Sequence, residues 1–148
     1  MTTPNRPRPF ARTGFPHFVT IVPRLQDNDI YGHINNTIYG AYFDTAVNQT
    51  LIEAGVLDMH HSEVIGLVVA SHAAFFKPIA FPDTFAIGVR AVRLGRSSVD
   101  YEFALFRGDE AQASAQGGYT HVYIDRKSGR PVDLPAALRD FLQTLISN

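Results

Sequence analysis

The chain has 148 residues, a length that fits one folded domain with a buried core. Hydrophobic residues make up 45% of it and charged residues 18%, which is typical of a globular protein rather than a disordered one. With 13 basic and 14 acidic side chains, the net charge of -1 offers no broad attraction to nucleic acid. The lack of cysteine excludes disulfides, a thiolate zinc site and a cysteine nucleophile, so any nucleophile must be an oxygen.

The first 14 residues contain three prolines and three arginines but few apolar side chains. We expect residues 1–14 to form a flexible tail ahead of a single domain at 15–148. No stretch approaches the roughly 18 consecutive apolar residues of a membrane-spanning helix, and the N-terminal sequence lacks the apolar core of a secretory signal. A cytoplasmic location without membrane contact is therefore expected.

Residues 17–24 are rich in aromatic and β-branched side chains, which favour a strand. A loop follows, and between residues 36 and 54 apolar side chains recur at steps of three and four, which predicts a helix with one buried face. Asn35 or Asn36 is expected to cap the start of this helix, and Gly55 is placed to end it.

Four further strands are predicted from apolar alternation or from runs of β-forming residues, at 66–77, 84–94, 97–107 and 111–124. After them, Pro135 precedes apolar residues at helical spacing, which indicates a short C-terminal helix. Antiparallel strands joined by tight turns need a cover for one face of their sheet, and the long apolar helix can provide it. The pattern therefore predicts an α+β fold.

The loop before the long helix carries the most informative motif, DNDIYGHINN over residues 27–36, followed by Tyr39. This motif resembles that of the hotdog-fold acyl-CoA thioesterases related to 4-hydroxybenzoyl-CoA thioesterase, in which Asp-x-Asp precedes Gly-His-x-Asn-Asn and a tyrosine. The resemblance covers about residues 17–146. It implies an antiparallel β-sheet wrapped around a central α-helix, assembled as dimers or tetramers with active sites at the dimer interface.

In that family the second acid of the Asp-x-Asp pair is the catalytic carboxylate, and by motif position this residue is Asp29. It would attack the thioester carbonyl as a nucleophile, or activate a water as a general base, and the sequence leaves both open. The resemblance also implies that the backbone N–H of Asn36 stabilises the oxyanion at the helix start. Gly32 permits a close turn of the loop past the substrate.

His33 and Asn35 are secondary catalytic candidates. His33 could orient a water, or it could simply hold a loop bend by bonding the backbone. Asn35 could bond the attacking water or Asp29, or it could fix the loop as a cap. Asp27 is expected to support the loop rather than react, because residues two apart in an extended segment point to opposite sides.

Coenzyme A (CoA) carries phosphates, which a few cations at a pocket mouth can bind. Arg96 lies in a turn that resembles the coenzyme-binding segment of the family and is the first candidate, with Arg93 and Ser97 beside it. Further basic candidates are Arg126 and Lys127. The acyl group would need an apolar cleft, for which the candidates are Tyr39, Phe43, Val47, Phe75 and Phe76.

We expect no cofactor apart from the CoA of the substrate, and no metal. The segment from Asp27 begins like a calcium loop, but Tyr31 and Ile38 occupy positions that require oxygen ligands. His60 and His61 are adjacent, so their side chains diverge, and no other ligand stands at metal-binding spacing on the same element.

Three alternatives to acyl-CoA hydrolysis stay open. They are hydrolysis of acyl chains on acyl carrier protein, hydration of enoyl thioesters with His33 beside Asp29, and silent binding of acyl thioesters. The Gly-His-x-Asn-Asn pattern and the acid at position 29 favour hydrolysis. The sequence contains no Gly-x-Ser-x-Gly elbow and no phosphate-binding glycine loop, so serine-hydrolase and nucleotide-hydrolase chemistry lack a motif.

Overall fold

A five-stranded antiparallel sheet and one long helix dominate the computed structural model, which describes residues 6–146. The strands are β1 (His17–Ile21), β2 (Val64–Phe75), β3 (Phe85–Leu94), β4 (Ser98–Arg107) and β5 (Ala115–Asp125). The helices are α1 (Tyr39–Glu53) and α2 (Ala136–Gln143). The predicted α+β class and the predicted order of elements are both confirmed.

The strand order in the sheet is β1-β3-β4-β5-β2, and every neighbouring pair is antiparallel. Alternate side chains of β3 and β4 are completely or almost completely buried under α1, and they are Phe85, Ile87, Val89, Ala91, Val99, Tyr101, Phe103 and Leu105. This alternation is what the apolar pattern of the two strands predicts. β2 is an edge strand, and its residues Leu67, Val68 and Val69 are exposed.

Helix α1 packs on the sheet through the predicted apolar face. The ring of Phe43 is 1% exposed and stacks on Phe103 with their centroids 5.3 Å apart. The helix ends as predicted at Gly55, where a φ of 76° is a conformation that glycine adopts without a Cβ clash. α1 therefore fixes the orientation of the preceding loop relative to the sheet.

The predicted cap at the helix start is wrong. The capping position is Ile38, which makes no side-chain cap hydrogen bond. The carbonyl of Asn35 instead accepts the Ile38 N–H at 2.9 Å, while its side-chain oxygen accepts the Thr37 N–H at 2.9 Å. These bonds form a separate turn, so the helix begins at Tyr39, three residues later than the apolar spacing predicts.

The N-terminal segment packs on the opposite face of the sheet. The Phe10 N–H donates to the side-chain oxygen of Gln116 at 2.7 Å, and Phe10 packs against a second apolar cluster that includes Phe106. The expectation of a flexible tail over 1–14 did not anticipate these contacts, which arise because Phe10 has apolar surface to bury. The first five residues of that predicted tail lie outside the described residues.

The contribution of the α1 face to stability can be tested with Phe43→Ala. We expect the free energy of unfolding to fall by about 3–5 kcal/mol, since a fully buried ring leaves a cavity. Ile52→Ala on the same helix is the matched control, because Ile52 is 42% exposed, and it should change stability by about 0.5 kcal/mol or less. Urea unfolding measures both values, and equal losses would contradict the assigned burial.

Candidate active site

The loop between β1 and α1 folds back on itself as a short ladder. The Asp29 N–H donates to the His33 carbonyl at 2.8 Å, and the Asn35 N–H donates to the Asp27 carbonyl at 2.9 Å. Gly32 closes the turn with a φ of 82°, and its N–H donates to the Asp29 carbonyl at 3.0 Å. The motif therefore forms one compact turn that leads directly to the start of α1.

Two hydrogen bonds fasten this loop to the segment just before β3. The Ile34 N–H donates to the carbonyl of Ile79 at 2.7 Å, and the Asn28 side-chain oxygen accepts the Phe81 N–H at 3.0 Å. Sequence reasoning missed these four residues, because their partners lie dozens of positions apart and no periodicity connects them.

Asp27 is a buried anchor, only 2% exposed. Its carboxylate accepts hydrogen bonds from the Tyr42 hydroxyl at 2.7 Å and from the backbone N–H and guanidinium of Arg24, both at 3.0 Å. Burial acts to raise its pKa, but these hydrogen bonds outweigh it, and the pKa lies below the ordinary value of 3.8. The supporting role predicted for Asp27 holds, but its partners are the N–H and side chain of Arg24 and a helix tyrosine.

Asp29 has a different environment. It is half-buried, and one carboxylate oxygen accepts the Tyr31 N–H at 2.8 Å. Within residues 6–146 no other group donates to this carboxylate. Its neighbours Ile30 and Tyr31 are 92% and 79% exposed. The carboxylate is thus held by a single amide and stays open to an incoming group.

The residues between this turn and α1 differ in whether their hydrogen-bonding groups already have partners. The Asn35 side-chain oxygen is occupied by the N–H and hydroxyl of Thr37, at 2.9 and 2.8 Å. The backbone N–H of Asn36 has no acceptor in the described part of the chain. The exposed His33 ring also makes no hydrogen bond there. Asn36 can therefore offer its N–H to a ligand, whereas Asn35 already holds the turn.

The proposed CoA-binding residues lie far from Asp29 within one protomer. Arg93, Arg96 and Ser97 stand at the β3–β4 turn, whereas the acidic loop contacts the chain just before the other end of β3. A ten-residue strand is about 30 Å long, so one protomer does not bring these groups together. The Arg96 side chain is 88% exposed and pairs with Asp133, while Arg93 is exposed.

Most of the predicted acyl-cleft residues belong to the core. Tyr39, Phe43 and Val47 are at most 4% exposed. Phe75 is 43% exposed, and its ring lies 4.9 Å from that of Tyr39, at the helix start. Only Phe75 and the half-buried Phe76 retain surface for a ligand among the five candidates.

Five surface cavities of about 160 to 720 Å³ were measured among the described residues, and Asp29 lines none of them. The largest lies between the N-terminal segment and strands β2 and β5, and its lining includes no residue of the acidic loop. Residues 6–146 contain no cluster of three or more His, Asp or Glu side chains that could hold a metal. No helix in the same range is both long and apolar enough to cross a membrane.

A central helix wrapped by a five-stranded antiparallel sheet, with an acidic turn at the helix start, defines a hotdog-fold protein of the thioesterase class. Residues 23–142 match the family model of the thioesterase-like superfamily. The chain belongs to this superfamily, which supports thioester hydrolysis as its chemistry.

The chain is 52% identical to the PA5185 protein from Pseudomonas aeruginosa strain PAO1, over 96% of this chain and 99% of that one, with a TM-score of 0.92. It is 31% identical to a thioesterase from Thermus thermophilus solved with CoA and zinc, over 89% and 95% of the two chains, with a TM-score of 0.74. DHNA-CoA thioesterase from Staphylococcus aureus, 19% identical over 86% of each chain with a TM-score of 0.74, shares the fold. A comparison with curated proteins found no match.

The anchoring role of Asp27 predicts a specific pH dependence of stability. Its lowered pKa means that its contribution is complete above the ordinary carboxyl pKa of 3.8 and is lost as the pH falls through the lower folded-state pKa. Asp27→Asn should therefore be less stable at pH 7, by about 2 kcal/mol, and the gap from the native protein should shrink in acid.

Urea unfolding of both proteins between pH 7 and pH 2.5 measures this gap. Asp109→Asn is the matched control, because Asp109 is exposed in the turn after β4 and has no ion-pair partner among the described residues. A gap that stays constant over the whole pH range would show that the Asp27 charge does not stabilise the fold.

Proposed function

We propose that the protein hydrolyses acyl-CoA thioesters to the free acid and CoA, with Asp29 as the catalytic carboxylate. The observation that carries this proposal is the Asp29 carboxylate, held by one backbone amide and otherwise open, in the turn that leads to the start of α1. Membership of the thioesterase-like superfamily supports thioester hydrolysis, and acyl-CoA as the substrate and Asp29 as the catalytic residue are the finer steps that we add.

Two routes give the same products. In the first, Asp29 attacks the thioester carbonyl, the sulfur leaves as the CoA thiolate, and water then hydrolyses the resulting anhydride. In the second, Asp29 takes a proton from a water that attacks the carbonyl carbon, and the tetrahedral intermediate then expels the CoA sulfur, which receives that proton. Both routes need the ionised carboxylate, and both place negative charge on the carbonyl oxygen.

The turn just before α1 is suited to stabilise that charge. The backbone N–H of Asn36 has no acceptor among the described residues, and the dipole of a helix favours negative charge at its N-terminus. Gly32 lets the turn pass close to the substrate, and Asn35 acts as a positioning residue through its bonds to Thr37. His33 is exposed and is available to orient a water.

We further propose that the site is completed by a second copy of the chain, in a dimer or a dimer of dimers. β2 is an unpaired edge with exposed Leu67, Val68 and Val69, which favours antiparallel pairing with the same strand of another copy. Such pairing sets the Phe75 end of one β2 beside the Val64 end of the other.

This arrangement accounts for the distance between Asp29 and the basic residues of the β3–β4 turn within one copy of the chain. Phe75 contacts the start of α1, so the acidic loop lies at that end of the sheet. The β3–β4 turn lies at the Val64 end, since Ser98 pairs with Val122 of β5, which pairs with Leu67. We therefore propose that Arg93, Arg96 and Ser97 of the partner subunit bind the CoA phosphates beside Asp29. We also propose that the protein is cytoplasmic and that it needs no cofactor besides the CoA of its substrate.

Asp29→Asn tests the catalytic assignment. We expect thiol release from a panel of acyl-CoA thioesters to fall at least about 100-fold, because the amide keeps the shape but can neither attack nor accept a proton. Asp109→Asn serves as the exposed-acid control and should hydrolyse normally. Circular dichroism confirms that both variants are folded.

Normal hydrolysis by folded Asp29→Asn would show that the site is misplaced. If the native protein releases no thiol from any acyl-CoA, acyl carrier protein thioesters are the next substrates to try. Loss of the enoyl absorbance without thiol release would indicate hydration instead, since hydration leaves the thioester intact.

A mixing experiment tests the shared site. Asp29→Asn dimers should be inactive, and Arg96→Ala dimers should have a KM for acyl-CoA raised about tenfold, since one charge-assisted phosphate contact is lost. If each site takes Asp29 from one subunit and Arg96 from the other, denaturing and refolding the two variants together produces mixed dimers with one intact site. Native KM should then reappear.

Acyl-pantetheine substrates, which lack the nucleotide phosphates, provide the control, because Arg96→Ala should leave their KM unchanged. A mixture that shows only the raised KM would place Asp29 and Arg96 in the same subunit. A monomeric mass in light scattering would contradict the shared site altogether.

A further inference from the structure

A small cavity lies under the C-terminal half of α1, away from the acidic turn. It has a volume of about 160 Å³, and its lining includes Asn48 and Leu51 of α1, Met59 of the following loop, Gly66 of β2 and His121 of β5. Most of the lining is apolar, and its buried ionisable side chains are His121 and Tyr123, which are 4% and 3% exposed.

His121 is 4% exposed and has no hydrogen bond from either ring nitrogen among the described residues. Burial lowers its pKa to about 4, so the ring is neutral at pH 7, with one donor and one acceptor nitrogen. Aromatic rings surround it, with Tyr101 at 5.0 Å and Tyr119 at 6.0 Å between centroids. Nε2 is fully buried without a partner, which costs free energy, so Nδ1 is the ring nitrogen that a ligand in the cavity can bond.

Glycine at position 66 lets the backbone of β2 lie directly against the rings of His121 and Tyr123. A Cβ built on Gly66 would lie 3.0 Å from Nδ1 of His121 and 3.0 Å from the ring of Tyr123, closer than ordinary packing. The Tyr123 hydroxyl is already bonded to that of Tyr101 at 2.7 Å. Nδ1 of His121 is therefore the polar atom of the lining that lies beside Gly66 without a partner among the described residues.

The cavity lies farther along α1 than the start of the helix, which is the end where the chemistry is proposed. The Tyr119 hydroxyl donates to the carbonyl of Gly40 at 2.7 Å, and Tyr119 and His121 project from the same face of β5. Gly40 and Asn48 lie on one side of α1, eight residues or about 12 Å apart. The cavity thus lies on the same side of α1 as the contact between Tyr119 and Gly40, toward the C-terminal end of the helix.

We propose that this cavity is a distal acyl subsite, and that His121 hydrogen-bonds a hydroxyl or keto oxygen near the far end of the acyl chain. This inference rests on the proposed function. With C–C bonds of about 1.5 Å, a chain needs on the order of ten carbons to span 12 Å, so a benzoyl group stops short. A neutral imidazole offers a distal carboxylate no ion pair, which favours an uncharged polar end.

The test compares thiol release from 10-hydroxydecanoyl-CoA and decanoyl-CoA. The native protein should prefer the hydroxylated substrate about five- to tenfold in kcat/KM, the range of one hydrogen bond. His121→Phe keeps a ring of similar size and should reduce this preference to about one. His60→Phe, the same change at an exposed loop histidine, should retain it.

Filling the cavity provides a second variant. Gly66→Val should lower the ratio of kcat/KM for decanoyl-CoA to that for butyryl-CoA at least about tenfold, because its side chain cannot fit without moving the rings of His121 and Tyr123, which line the cavity. Gly66→Ala should lower the ratio less. An unchanged ratio in folded Gly66→Val would overturn the subsite.

Binding of 10-hydroxydecanamide and decanamide, followed by calorimetry, separates this inference from the proposed function. If no acyl-CoA is hydrolysed but the native protein binds the hydroxyamide more tightly and His121→Phe does not, the subsite stands and the hydrolytic function falls. If acyl-CoA is hydrolysed while the hydroxyl preference is absent, or survives in His121→Phe, the subsite is wrong and the hydrolytic function stands.

Discussion

The buried carboxylate of Asp27 is the interaction on which the candidate site depends. A carboxylate removed from water is unfavourable unless charged or polar groups compensate for it, and here Arg24 and Tyr42 do so. Because Arg24 follows β1 and Tyr42 belongs to α1, satisfying this one charge joins sheet, loop and helix. Two residues further along, Asp29 extends from a turn whose base cannot move without breaking those bonds. Asp27 is therefore fixed by burial, whereas Asp29 is left open.

The sheet adds a second constraint through its strand order. The interior strands are covered by α1 on one face and partly by the N-terminal segment on the other, but β2 keeps its outer edge unpaired. An edge with several exposed apolar side chains is unfavourable in water, and pairing with another copy removes it. The open position of Asp29, which lines none of the five measured cavities, agrees with the dimer proposed above. In that dimer, the second copy supplies the surface that makes the site concave.

The sequence predicts the periodic features of this fold and misses its long-range contacts. Alternation identified β3 and β4, and three-to-four spacing identified the buried face of α1, because each pattern reports one local period. The cap at Asn35 was wrong because a turn and a cap use the same side-chain oxygen, and only geometry decides between them. At the site, Asp29 was predicted because its motif resembles that of the hotdog-fold thioesterases. Neither Asn28 nor Phe81 could be found, since their bond joins positions 53 residues apart.

Helix α1 connects the acidic turn, the sheet and the proposed subsite. Its N-terminus faces the acidic turn, where exposed amides and the helix dipole favour negative charge. Its central residues are packed so tightly on β3 and β4 that no ligand can pass beneath them. In the proposed subsite, the acyl group therefore extends along the side of the helix toward β5 and β2, where Gly66 lies directly against the rings of His121 and Tyr123. The packing of α1 on β3 and β4 restricts the direction of that proposed path, and the buried His121 ring stands at its end.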